Sequence, residues 1–357
     1  MANKSDETHP THLSPSELGT KEYWETFYSR TLTHIGPKHT PAVSTSDNNP
    51  SDTKASDQDN EDQDSDQGDE DEDDYNADSD PGTSWFSEHN APQKVLDFLT
   101  REEFPLAPYN TLPGSESYNG TRWGRKKGSK ASLSAEAKNA QPSILDLGTG
   151  NGSMLALLRK RGGFAGEMVG VDYSGKSVEL ARELQVTKRH EAYQSDSEYE
   201  DEDEDEEEEA GAQDGGEGGD DEWEEIRFEE WDILRSEDDL RTVGKLDWFP
   251  YGKGGFDIVL DKGTFDAVSL MAEKSQCERY PSIAGGLTRK GGFLVVTSCN
   301  WTEEEVIRWF TSASIGSGSD SDSDSGKLVV WGKVQYPRFR FGGQEGQGVC
   351  TVCFQRV

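Results

Sequence analysis

An α/β fold with a mostly parallel sheet, closed by an antiparallel C-terminal hairpin, is predicted by three observations. Short apolar runs alternate with segments of helical period, successive runs end in an aspartate, and the first opens into a glycine-rich turn. The core strands are read at Ile144 to Leu147, Met168 to Val171, Ile226 to Trp231, Phe256 to Leu260 and Phe293 to Thr297, and the hairpin at Tyr336 to Phe341 with Gly348 to Gln355. Helices over Ala91 to Glu103, Ser153 to Lys160, Ser174 to Lys188 and Thr302 to Phe310, together with one N-terminal helix, would cover the two faces. Thr302 and Glu305 form a capping-box pair at the start of the last helix.

The first strand runs into Asp146, Gly148, Thr149, Gly150, Asn151 and Gly152. Glycines at alternate positions supply backbone conformations that a Cβ resists and let the chain pass close to a bulky ligand. A dinucleotide fingerprint would need a glycine at position 153, where Ser153 stands. The pattern D-x-G-x-G-x-G instead resembles motif I of the S-adenosylmethionine (SAM) dependent methyltransferases. That resemblance implies a Rossmann-like class I fold and a loop wrapped around the amino-acid end of SAM.

Downstream spacing fits the same cofactor. Asp172, followed by Tyr173, lies about 20 residues past the last glycine, where nucleotide-binding α/β folds put a carboxylate on the ribose hydroxyls. Asp232 ends the third strand, and in the resembling enzymes an acid there accepts from the adenine amino group. Asp261 ends the fourth. The carboxyl edge of an open α/β sheet is where ligands bind. The expected cofactor set is therefore Asp146, Gly148, Thr149, Gly150, Asn151, Gly152, Asp172, Tyr173, Asp232 and Asp261, although each acid alone reads equally well as a helix cap.

Composition needs partition before it supports a folded enzyme, because net charge is −35 and only 31% of the 357 residues are hydrophobic. Ser44 to Asp80 holds 16 acids against one Lys, Ser195 to Glu225 holds 19 acids and no base, and Thr311 to Gly326 holds three. The rest of the chain is close to neutral. Such tracts bury too little apolar surface to offset the entropy of ordering, so segments 36–80, 105–141, 190–225 and 311–326, and a tail over 1–17, are expected to be disordered. Residues 18–357 then form one interrupted domain, and loop insertions of this kind add little closure cost. The acidic runs are read as solvated passengers, with recruitment of basic partners as the functional alternative.

Four cysteines and no apolar run of membrane length point to a reducing intracellular compartment. Cys350 and Cys353 have knuckle spacing but lie on a strand with no second ligand pair, so they read as core thiols and no metal is expected. None of the six histidines falls in a strand-end motif, which removes the usual general base of a hydrolase. Methyl transfer needs mainly a lone pair held in line with the sulfonium methyl.

The acceptor is read from Asp261-Lys262-Gly263-Thr264-Phe265-Asp266-Ala267, which lacks the prolines of the turn used for planar amines. An acidic turn suits an aliphatic amine that arrives as an ammonium. Asp261, Asn300 and Trp301 are the candidate catalytic residues, Trp301 as an aromatic wall for the cation. The alternatives are that Asp261 caps the following helix and that Trp301 packs in the core.

With the Thr297 to Thr302 run, Phe341-Gly342-Gly343, Leu18 to Trp24, Trp85-Phe86 and Arg338 to Phe341, the Asp261 to Leu270 segment resembles the eukaryotic elongation factor 1-alpha lysine methyltransferases. These are the fungal elongation factor methyltransferase 4 group and relatives of methyltransferase-like protein 10. The resemblance implies SAM-dependent methylation of a lysine on that elongation factor; no direct nucleic acid or membrane partner is expected. A monomer in the cytoplasm, with a nuclear share, is expected. The chain departs from the pattern in its acidic tracts and in Pro105 to Gln141, with the basic run Arg122 to Lys127. A methyltransferase of a small amine and a catalytically idle acidic adaptor remain as alternative functions.

Overall fold

The computed structural model describes residues 10–35, 86, 89–111, 140–194, 225–235, 239–240, 242–312, 326–337, 339–341, 344–346 and 348–357. Nine strands are found among them: β1 (Ile144–Leu147), β2 (Met168–Asp172), β3 (Arg227–Glu230), β4 (Phe256–Lys262), β5 (Thr288–Ser298), β6 (Leu328–Val334), β7 (Phe339–Phe341), β8 (Gln344–Gly346) and β9 (Cys350–Arg356). Seven of these form one sheet in the order β3-β2-β1-β4-β5-β9-β6. The first five strands of that order are parallel, and β9 runs antiparallel between β5 and β6. Strand order reverses between β1 and β4, where Leu147 pairs with Asp261, so the ligand-binding crevice is expected above these two strands.

The helices are α1 (Lys21–Ile35), α2 (Ala91–Thr100), α3 (Pro108–Thr111), α4 (Ser153–Lys160), α5 (Gly175–Thr187), α6 (Thr264–Ser269), α7 (Lys274–Leu287) and α8 (Glu303–Ser312). In α1, Trp24, Tyr28, Thr31 and Ile35 fall on one helical face, and that face is buried. The sheet separates two apolar layers. Leu96, Leu99, Leu158, Val178, Ile258 and Phe293 lie in the layer with α1, α2, α4 and α5, while Val259, Phe265, Tyr280, Leu294, Trp309 and Phe354 lie in the layer with α6, α7 and α8. Cys350 and Cys353 are both buried, one in each layer, as residues three apart on a strand should be.

Three expectations are corrected. The partner of the last strand is β6, not Tyr336 to Phe341; Phe339–Phe341 instead pairs locally with Gln344–Gly346 in a separate two-stranded sheet. A register shift between Val330 and Gly332, with Val329 and Val330 exposed at the sheet edge, hides the alternation of β6. Second, α7 went unread because Pro281, Gly285 and Gly286 look like breakers, yet Cys277, Tyr280, Ala284 and Leu287 bury one face of it. Third, the segments expected to be disordered are narrower where they can be described. Residues 10–17 hold Ser16 as an N-cap, 105–111 include α3, 140–141 carry buried Gln141, and 191–193 form a 3-10 turn with Tyr193 buried. Thr311 and Ser312 likewise end α8, while Trp85, the basic run 122–127 and residues 1–9, 36–80, 112–139, 195–224 and 313–325 lie outside the described residues. Among the described residues, no helix is long and apolar enough to cross a membrane.

Candidate active site

A cavity of about 950 Å³, counting its open mouth, lies over the carboxyl ends of β1, β2 and β4. Its floor is the glycine turn, whose Gly148, Gly150 and Gly152 all take positive φ, at 59°, 58° and 75°. Gly148 could carry no side chain, since a Cβ there would stand 2.2 Å from Thr264 Oγ1. The Thr264 hydroxyl donates to Leu147 O at 2.6 Å and so ties the β4 turn to the β1 turn.

Of the expected cofactor residues, Gly148, Thr149, Gly150, Asp172, Tyr173 and Asp232 line this cavity. Asp172 Oδ2 accepts from Gly150 N at 3.1 Å and Ser177 Oγ at 2.8 Å, and its Oδ1 accepts from Ser174 N at 2.9 Å. The carboxylate thereby holds the glycine loop against β2 while Oδ1 keeps a lone pair for a ribose hydroxyl. Burial raises its pKa against these hydrogen bonds. Asp232 Oδ1 accepts from Leu234 N at 3.0 Å, beside Trp231 on the same wall. Tyr173 donates its hydroxyl to Thr20 O at 3.1 Å, which pins the start of α1 over the mouth.

The other four stand behind the floor. Asp146 accepts from Thr149 Oγ1 at 2.9 Å, and burial pushes its carboxyl up to about 6, with the Lys262 charge opposing. Asn151 Oδ1 accepts from Ser153 N at 3.1 Å, and its carbonyl accepts from the Tyr193 hydroxyl at 3.0 Å. Gly152 fits closely under Tyr193 and Phe228. These residues shape the loop and do not face the ligand.

Asp261 is also behind the floor, and its expected meeting with an incoming ammonium is corrected. It is 1% exposed, and both oxygens are taken: Oδ1 accepts from Thr264 N at 2.9 Å and Phe265 N at 3.1 Å, and Oδ2 from the Tyr280 hydroxyl at 2.7 Å. Gly263 is the N-cap of α6, and Asp261, two residues before it, takes up the first two N–H groups of the helix. Trp301 is corrected likewise. It is 5% exposed and stacks on Phe265 at 6.1 Å between ring centroids, inside the core and away from the cavity. Asn300 is half-buried, does not line the cavity, and leaves its Nδ2 without a hydrogen bond among the described residues. The Thr302 and Glu305 capping box is formed, with Glu305 N 3.3 Å from Thr302 Oγ1 and Thr302 N 3.0 Å from Glu305 Oε2.

Motif reasoning missed the roof. Trp24 and Tyr28 of α1, Phe86, and Val268 and Met271 after β4 close the cavity from above. Gly19 permits this, because a Cβ there would stand 2.5 Å from the Leu270 carbonyl. The signal available in the sequence was the four-residue spacing of Trp24 and Tyr28.

If Asp172 anchors the ribose, Asp172→Ala is expected to raise the Kd for SAM at least tenfold in titration calorimetry. A charge-assisted hydrogen bond contributes about 1.5–3 kcal/mol, and the loop loses its tether as well.

A family model described as a methyltransferase domain matches residues 138–207, which span the glycine turn and Asp172. Protein-lysine N-methyltransferase EFM4 of Saccharomyces cerevisiae is 27% identical over 96% of this chain and 96% of its own. EEF1A lysine methyltransferase 2 of Homo sapiens is 29% identical over 100% of this chain and 95% of its own. A solved structure of the N-methyltransferase NodS from Bradyrhizobium japonicum WM9 with S-adenosyl-L-homocysteine covers 60% of this chain and 76% of its own, at 15% identity and a TM-score of 0.34. The glycine turn, the Asp172 anchor, the sheet order and the matched domain agree: the chain is a SAM-dependent methyltransferase with a Rossmann-like fold, similar along its length to enzymes named as protein-lysine methyltransferases.

Proposed function

We propose that this enzyme transfers the methyl group of SAM to the side-chain nitrogen of a lysine on translation elongation factor 1-alpha. The observation that carries the reading is near-full-length similarity, at 27% identity to an enzyme named as a protein-lysine N-methyltransferase and at 29% identity to one named as an EEF1A lysine methyltransferase. The similarity extends past the cofactor motifs into α1 and β9, and α1 supplies the roof of the cavity. Asp172 and Asp232 would hold the adenosine end of SAM, and the Gly148 to Gly150 turn would hold the methionine end. SAM supplies an electrophilic methyl on sulfur. The chain's own part would be to hold the acceptor nitrogen in line and keep water out, a part for which the aromatic roof of Trp24, Tyr28 and Phe86 is placed. Among the described residues, the carboxylates that line the cavity are Asp172 and Asp232, and this reading assigns both to the adenosine end of SAM. A monomeric enzyme in the cytoplasm, with a nuclear share, accompanies this reading.

The test is incubation of the purified chain with radiolabelled SAM and purified elongation factor 1-alpha. One labelled protein band, abolished when a single lysine of the factor is changed to Arg, is expected. Label confined to small molecules of a lysate would overturn the reading in favour of a metabolite methyltransferase, and no transfer at all would leave an idle scaffold.

A further inference from the structure

Three charged side chains line the described part of the cavity, and they are not distributed evenly. Asp172 and Asp232 stand at the ends of β2 and β3, whereas Lys262 stands at the end of β4. The Lys262 ammonium makes no hydrogen bond or ion pair among the described residues. Its Nζ sits 5.5 Å from the centroid of the Phe86 ring, a contact that positions the ammonium without neutralising it. Its charge bears on Asp146, where it opposes the effect of burial, and on Cys299 in the same sense. Lys262 is thus a cation at the β1–β4 end of the glycine turn, in contact with the Phe86 ring, with no carboxylate among the described residues at ion-pair distance.

SAM has one anionic group, the carboxylate of its methionine part, beside a cationic sulfonium and a cationic ammonium. Taking that carboxylate out of water without a partner is costly. At the β2–β3 end it would meet Asp172 and Asp232, like charges that suit ribose and adenine donors. At the β1–β4 end it would meet the ammonium of Lys262. We infer that Lys262 is the residue that pairs with the SAM carboxylate, so that the cofactor is oriented by carboxylates at one end and by a lysine at the other. The inference rests on SAM occupying this cavity. It adds to the residues of motif I a selectivity device for the intact amino-acid end.

The experiment is titration calorimetry of the full chain with SAM and with decarboxylated SAM, which keeps the adenosine, the sulfonium and the amine but lacks the carboxylate. The wild type is expected to prefer SAM by about tenfold or more, the scale of a charge-assisted pair. Lys262→Met should erase that preference by weakening SAM alone, leaving the affinity for decarboxylated SAM unchanged or improved. Lys262→Arg should keep the preference and shows that the site tolerates substitution. Equal loss of both nucleosides in Lys262→Met, or an unchanged preference, would overturn the role of Lys262 while leaving the enzyme's use of SAM standing. A wild type that binds neither nucleoside would instead overturn the cavity as the SAM site, and the inference with it.

Discussion

Gly148→Val is expected to abolish SAM binding, with a Kd at least a hundredfold higher, while the domain stays folded. Two effects act together. The native φ of 59° is one that a β-branched residue resists, and left-handed strain of this kind costs on the order of 1–3 kcal/mol. The new Cβ would also stand 2.2 Å from Thr264 Oγ1, whose hydroxyl is already committed to Leu147 O. Neither partner can retreat into the sheet beneath, so the turn must lift into the space the cofactor needs. The strain alone should lower the melting temperature by roughly 2–12 °C, since 1 kcal/mol shifts a domain of this size by about 2–4 °C. Gly244→Ala is the control: its φ is 83°, but nothing lies within 4 Å of the added Cβ, so it should cost stability and leave SAM affinity unchanged. SAM affinity within threefold of the wild type in Gly148→Val would show that the glycine turn is not the cofactor floor.

The sheet and the glycine turn were legible because they are local. Ile144 to Leu147 and Ser153 to Lys160 are found at the residues their patterns predict, and the spacing from Gly152 to Asp172 is set by one helix and one strand. Long-range packing decided what was not legible. Whether a strand-end aspartate faces a ligand or a helix depends on partners such as Tyr280, 19 residues away on a helix that Pro281 disguises. Asp172 and Asp261 look alike in sequence, yet one lines the cavity and the other is sealed beneath it. The roof depended on contacts that no motif encodes, between Gly19 and Leu270 and between Tyr173 and Thr20. Likewise β6 shows too few buried side chains to be read from alternation, because it is an edge strand with a register shift.

Asp261→Asn and Asp261→Leu are expected to behave very differently, because what this position supplies is acceptors. In Asp261→Asn the amide oxygen can still receive Thr264 N and Phe265 N, and the amide nitrogen can donate to the Tyr280 hydroxyl, which is able to accept. Turnover on the elongation factor should stay within a few-fold of the wild type. Asp261→Leu strands the same three donors in the core at about 1–3 kcal/mol each, so the floor around Thr264 collapses and activity goes with stability. The pH dependence separates the two readings further. Burial pushes the Asp261 carboxyl up to about 7, with the Asp266 charge adding to the rise, against a usual value of about 3.9. The folded protein therefore holds a proton that the unfolded chain has released. Its contribution to stability is full below the usual value and is lost as pH rises through about 7. Asp261→Asn carries no such titration, so its melting temperature relative to the wild type should climb between pH 5.5 and 8 in thermal scanning. Parallel curves would show that Asp261 does not titrate in this range. A hundredfold loss of turnover in Asp261→Asn with SAM affinity intact would mean that the carboxylate does reach the acceptor lysine, through an opening of the Tyr280 contact.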